Sequence, residues 1–257
     1  MSERQKADRR RLLQVTGVGL GVAFAGGWAK PARADWFTRV LDSAATVNRF
    51  VQGAITPPCA RGHEYTEADI SAHFKSNGTH DPTDPEYQAL ARNGFADWRL
   101  EISGLVDHPA RLSLAELRAM PGVTQITRHD CVEGWSCIGK WTGVPLSTVL
   151  APLGVQKRVR YVMFFCYDRL PGAFEKYYES IDLAEVQHPE TILAYGMNGR
   201  TLPIPYGAPL RLRLGRQLGY KMPKYLRRIT LVESFAAIEG GHGGFYEDNG
   251  YEWYAGI

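Results

Sequence analysis

The chain has 257 residues, 44% hydrophobic and 22% charged, with a formal net charge of +3. That composition excludes a disordered chain and a collagen-like repeat, and is enough for one large core or two small ones. Four cysteines are too few for a disulfide-dense scaffold. The charge is uneven. Residues 1–34 hold seven Lys/Arg against two Asp/Glu, so with that segment set aside the remainder carries about −2. A nearly neutral body argues against nucleic acid as a partner.

In chain order, Arg9, Arg10 and Arg11 precede Leu12-Leu13-Gln14, a glycine-rich apolar run from Val15 to Trp28, and Ala32-Arg33-Ala34. A basic stretch, an apolar run and a small-x-small site form an export signal, and the paired arginines before Leu-Leu mark the twin-arginine route. A retained membrane anchor is the alternative. The route carries folded proteins, chiefly those already loaded with a cofactor, so a buried cofactor and a periplasmic, oxidising destination are expected. Residues 35–94 read as an irregular wrapping segment with one or two short helices and the turn signals Thr56-Pro57-Pro58, Asn77-Gly78 and Asp81-Pro82.

Residues 98–103 alternate apolar Trp98, Leu100 and Ile102 with polar neighbours, which predicts a half-buried strand. Ser113 and Glu116 make a capping box that opens a short helix ending near Pro121. Val123 to Arg128 predicts a strand delivering the chain into His129-Asp130-Cys131, and a helix starts at Pro145. Tyr161 to Phe165 reads as a strand buried on both faces. Ile192 to Met197, Asn198-Gly199 and Arg200 to Ile204 read as a hairpin with a type I′ turn. Leu210, Leu212 and Leu214 alternate with Arg211 and Arg213, and Leu226 to Val232 is a further strand. Strands with few short helices give an α+β class, mixed but mostly β.

The chemistry concentrates in two runs. One is Arg128-His129-Asp130-Cys131-Val132-Glu133-Gly134-Trp135-Ser136, continuing through Lys140-Trp141-Thr142-Gly143. The other is Tyr206-Gly207-Ala208-Pro209-Leu210-Arg211, continuing through Gly219-Tyr220-Lys221-Met222-Pro223-Lys224. In this order they resemble the molybdopterin-binding domain of the sulfite-oxidase family of molybdenum enzymes, from about Trp98 to Val232. The resemblance implies an enzyme with a molybdenum–molybdopterin core at residues 95–236 and a separate Gly/aromatic arm at 237–257.

It also implies that Cys131 supplies the thiolate that ties the metal to the protein. A soft sulfur ligand suits that role. A disulfide between Cys131 and Cys137 is the competing reading. Arg211, Met222, Pro223 and Lys224 map to the family's cofactor-binding residues, with donors expected from Met222, Lys224 and the Lys224 side chain. Tyr206 falls where relatives often carry Asn, Cys166 where they carry a hydroxyl or small residue near the cofactor, and Asn77 matches an upstream asparagine near the metal. Arg211 on a solvated strand face and Asn77 as a simple turn residue are the alternatives. His129 is expected to donate a hydrogen bond beside the thiolate segment.

Family members move an oxygen atom and exchange electrons with a haem partner, here a membrane subunit or a cytochrome c. Cys131 is followed by Val-Glu-Gly-Trp rather than the cationic run of sulfite oxidases. That local pattern is similar to the periplasmic methionine-sulfoxide reductases, although Gly215-Arg216-Gln217 departs from theirs. The resemblance therefore implies reduction of S- or N-oxides, on a small molecule or an oxidised side chain, with Glu133 as the proton source. Sulfite oxidation, or a cofactor-free binding protein on the same fold, are the alternatives. With no room for the family's dimerisation domain, a monomer is expected. The tail from Gly240 to Tyr254 is either a structural arm or a lid, with the arm preferred because so many rings need burial.

Overall fold

The computed structural model describes residues 47 and 63–257, with 171 excepted. The export signal, the Thr56-Pro57-Pro58 turn and the rest of the wrapping segment before 63 lie outside the described residues. Among the described residues the strands are β1 (Arg99–Gly104), β2 (Ala110–Ser113), β3 (Val123–Asp130), β4 (Ser136–Pro145), β5 (Tyr161–Cys166), β6 (Tyr178–Asp182), β7 (Ile192–Met197), β8 (Arg200–Thr201), β9 (Arg211–Arg213) and β10 (Leu226–Val232). The helices are short: α1 (Pro85–Arg92), α2 (Leu114–Ala119), α3 (Leu146–Leu150), α4 (Leu183–Val186) and α5 (Phe245–Asp248). This is the expected α+β class, mostly strand.

The strands form two sheets. One runs β2-β1-β10-β5-β6, and the other β3-β4-β7-β8, with β9 also on β7. Every pairing is antiparallel except β1 with β10, which is parallel. Leu100 and Ile102 of β1 and Ile229 and Leu231 of β10 pack with Val144 and Leu193 of the second sheet and with Leu117, Leu146 and Val149 from α2 and α3. The two sheets thus share one core. A smaller cluster gathers Phe74, Cys137, Ile192, Ala194, Met197 and Leu202 around Trp141.

Local chemistry sets several boundaries as expected. The Asp84 carboxylate accepts from Tyr87 N at 3.1 Å and Pro85 sits in the first turn of α1, where its missing N–H costs no bond. Ser113 and Glu116 close the capping box on α2. Asn198 and Gly199 both take positive φ, as a type I′ turn requires. The hairpin's second strand is shorter than expected: β8 ends at Thr201, because Pro203 and Pro205 cannot donate to the ladder. The wrapping segment is fastened to the core where the buried Tyr87 hydroxyl donates to Ala208 O at 2.8 Å.

Three strands were not anticipated: the short β2, β4 and β6. In β4, Gly139 and Gly143 occupy inward positions that weaken the period-two signal; a Cβ at Gly143 would lie 2.3 Å from Leu193 O, so close backbone approach excludes a side chain there. In β6, Glu179 and Ser180 are fully buried, which hides a buried edge strand behind polar residue types.

Candidate active site

The hairpin between β3 and β4 carries the thiol. Cys131 N donates to Trp135 O at 3.0 Å and Gly134 N donates back to Cys131 O at 3.0 Å. Gly134 has φ 83°, a conformation that favours glycine, so the tight turn fixes where the cysteine points. Its side chain lines a cavity of about 280 Å³. Asn77 and Thr79 of the wrapping segment, Asp168 and Leu170 after β5, Tyr177 before β6, the 219–224 loop, and Tyr246 and Tyr251 of the tail complete the wall.

Of the expected site residues, Asn77, Cys131, Glu133, Met222, Pro223 and Lys224 line this cavity, whereas Cys166, Tyr206 and Arg211 do not. Cys166 ends β5 and is fully buried in the main core, where burial pushes its thiol well up. Tyr206 turns away and donates its hydroxyl to Phe74 O at 2.8 Å. Arg211 is not on a solvated face. It is buried over the Trp141 ring and donates to Tyr206 O at 2.9 Å and Met222 O at 3.3 Å, so it braces the two loops instead of facing the cavity. Burial brings its guanidinium down to about 10.

Two of the expected donors are also occupied, Met222 N and the Lys224 side chain. Met222 N donates to Gly219 O at 3.1 Å. Lys224 Nζ donates to Asn77 O at 2.7 Å, Pro205 O at 3.0 Å and Thr79 O. Three acceptors match the three protons of an ammonium, so Lys224 pins the wrapping segment to the cofactor loop. Burial first, then the nearby Arg211, brings its ammonium down to about 7.

Arg213, which the sequence reading left aside, is fully buried. It donates to His129 Nδ1 at 2.8 Å, Thr127 Oγ1 at 3.1 Å and Arg128 O at 3.2 Å, and stacks over Trp141. Arginine can only donate, so His129 Nδ1 accepts and its proton sits on Nε2. Burial, then Arg213, hold His129 far below its usual range, so it is neutral. The ring touches the 219–221 turn: a Cβ at Gly219 would lie 2.5 Å from His129 Nε2.

Glu133 does not have the character of a proton source. Its side chain is 54% exposed, and it accepts from Trp135 Nε1 at 2.7 Å and Lys75 Nζ at 3.3 Å. Those two donors, Trp135 first, pull its carboxyl below the usual range, so it stays ionised. Cys131 and Cys137 are both free thiols; Cys137 accepts from Lys75 N at 3.4 Å on the far side of the hairpin, among the Trp141 cluster.

These residues fit a molybdenum–molybdopterin group. Burial, with the Glu133 charge adding to it, pushes the Cys131 thiol up, so it needs a bound cation to ionise it. Among the described residues no cluster of three or more His, Cys, Asp or Glu is placed to hold an ion, so a metal at Cys131 must bring other ligands with it. Arg211, Arg213 and Lys224 are buried near one another; among the described residues none of them is in an ion pair, and His129 Nε2, Trp141 Nε1 and Arg213 Nε have no partner. That excess of buried positive charge and unspent donors suits an anionic, hydrogen-bonding scaffold.

A family model described as "Oxidoreductase molybdopterin binding domain" matches residues 87–237. The chain belongs to that family. It is an oxidoreductase of the sulfite oxidase type, with molybdenum–molybdopterin as its cofactor. Among its relatives is a protein provisionally named protein-methionine-sulfoxide reductase subunit YedZ1 from Azospira oryzae, 41% identical over 81% of this chain and 73% of the relative. The protein-methionine-sulfoxide reductase catalytic subunit MsrP of Xanthomonas campestris is 34% identical over 88% of this chain and 70% of its own length. Among solved structures, the sulfane dehydrogenase SoxCD of Paracoccus pantotrophus aligns with 54% of this chain and 39% of its own at 24% identity, with a TM-score of 0.49.

Proposed function

We propose that this oxidoreductase reduces sulfoxides, methionine sulfoxide side chains in particular, in the periplasm. It would reach that compartment folded by the twin-arginine route and take electrons from a haem-bearing partner. The observation that carries the reading is the make-up of the cavity wall. Tyr177, Tyr220, Tyr246, Tyr251 and Leu170 line it, and the ionised Glu133 stands beside Cys131. Aromatic walls favour a neutral thioether or sulfoxide, because sulfur packs well against rings. The nearby carboxylate disfavours an incoming sulfite anion. The names of the Azospira and Xanthomonas relatives point the same way.

The bound cofactor supplies two-electron oxygen-atom transfer. The protein's own residues do the rest. Cys131 would tether the group at the end of the β3–β4 hairpin, while Arg211 and Lys224 brace the loop that carries Met222 and Pro223. The tyrosines exclude water around the sulfur. The test compares oxidation of a reduced viologen dye by free and protein-bound methionine sulfoxide with reduction of cytochrome c by sulfite. Turnover only with sulfite overturns the direction. Cys131→Ser is expected to lose both bound molybdenum and turnover; a variant that keeps both overturns the site.

A further inference from the structure

We propose that Asp168 holds and delivers a proton inside the cavity during turnover, a role that rests on the oxygen-atom-transfer reading above. Two carboxyl groups line the cavity, and their surroundings are opposite. Glu133 is exposed and doubly hydrogen-bonded. Asp168 is 4% exposed, and its Oδ1 has no hydrogen-bond partner. The nearest cation, Lys224, does not pair with it, because all three ammonium protons go to the carbonyls of Asn77, Thr79 and Pro205. Asp168 is therefore not one half of a structural ion pair. Lys224 and Thr79 act directly on it, and Cys166, Tyr87, Tyr225 and Tyr246 feel its charge; of these only Lys224, itself brought down to about 7, carries charge near neutral pH.

Burial pushes the Asp168 carboxyl up to about 6 against the pull of Lys224. Paired acids whose environments separate their proton affinities mark the donor and the permanently ionised group. Sulfoxide reduction needs such a donor. The S–O bond breaks, two electrons arrive one at a time from the haem partner or dye, and the oxygen leaves as water after taking two protons. At least one of these passes through Asp168, which is refilled from solvent.

The experiment uses molybdenum-loaded enzyme with reduced viologen and methionine sulfoxide. Wild-type kcat is expected to fall as pH rises through about 6, and Asp168→Asn to lose that limb with a drop of about 10²–10⁴-fold in rate per bound molybdenum. Asp168→Glu is expected to recover part of the rate on a shifted limb. Independently of turnover, pH-difference infrared spectra should show a protonated-carboxyl band that disappears over the same range and is missing from Asp168→Asn. Asn and wild type sharing rate and limb overturns the assignment, as does a variant that loses only molybdenum while keeping its rate per metal, or a wild type without the band. A wild type that shows the band but reduces no sulfoxide overturns the functional reading instead.

Discussion

Lys221 is the place where a single change should be felt most. Its ammonium lies between Glu179 and Glu247, with the three side chains 1%, 0% and 1% exposed, and 5.2 Å from the Trp253 ring centre. It ties β6, the 219–221 turn and α5 together, so it also holds Tyr246 at the cavity. Lys221→Met keeps the aliphatic stem and removes the charge, leaving two buried carboxyls facing each other. Removing one partner of a buried ion pair costs about 3–5 kcal/mol. For a unit of this size each kcal/mol moves Tm by roughly 2–4 °C, so Tm should fall by about 6–20 °C. The loss also has a sign in pH. Burial already holds Glu179 well above the usual carboxylate range, and without Lys221 the folded state keeps protons that the unfolded state releases. Stability then falls as pH rises, so the deficit should be larger near pH 8 than near pH 5. Circular-dichroism melts at both pH values check this, and Glu179→Gln/Lys221→Met/Glu247→Gln should recover most of the loss. A fall under about 3 °C, or one equal at both pH values, would refute the reasoning.

Gly219→Ala places a Cβ 2.5 Å from the His129 ring, which is itself buried, so stability should drop by about 1–3 kcal/mol in urea unfolding and the cavity wall should shift. Arg211→Met leaves the carbonyls of Tyr206 and Met222 without their donor; a loss of about 1–3 kcal/mol and lower molybdenum content by metal analysis are expected. His129 is neutral when folded, so below pH 6.5 the unfolded chain takes up a proton that the folded one refuses, and stability falls with acid by up to about 1.4 kcal/mol per pH unit. His129→Asn should remove that slope, seen as a difference between urea curves at pH 5 and 7.

Where a few neighbouring residues settle an outcome, the sequence is readable. The Ser113–Glu116 box and the Asn198-Gly199 turn are of this kind, and so are the alternating strands β1 and β10. The cysteine at the end of β3 was legible too, because family motifs mark it. What escaped depends on partners distant in the chain. β6, at the end of its sheet, is buried only because Lys221 meets Glu179 and Ser180 Oγ meets Gly243 O. Arg211 and Arg213 alternate like a wet strand face, yet Trp141 and the carbonyls of Tyr206 and Met222 enclose Arg211. Glu133 looked like an acid from its place beside Cys131, until Trp135 and Lys75 fixed its charge. Asp168 has no motif at all; its character comes from burial alone.

The parallel pairing of β1 with β10 has a bearing on biosynthesis. β1 is among the first strands to leave the ribosome, but one of its edges stays unsatisfied until residues 226–232 emerge. Lys224, which anchors the wrapping segment, arrives only just ahead of that edge. The nascent molecule thus carries an open, aggregation-prone border for most of its translation and closes late.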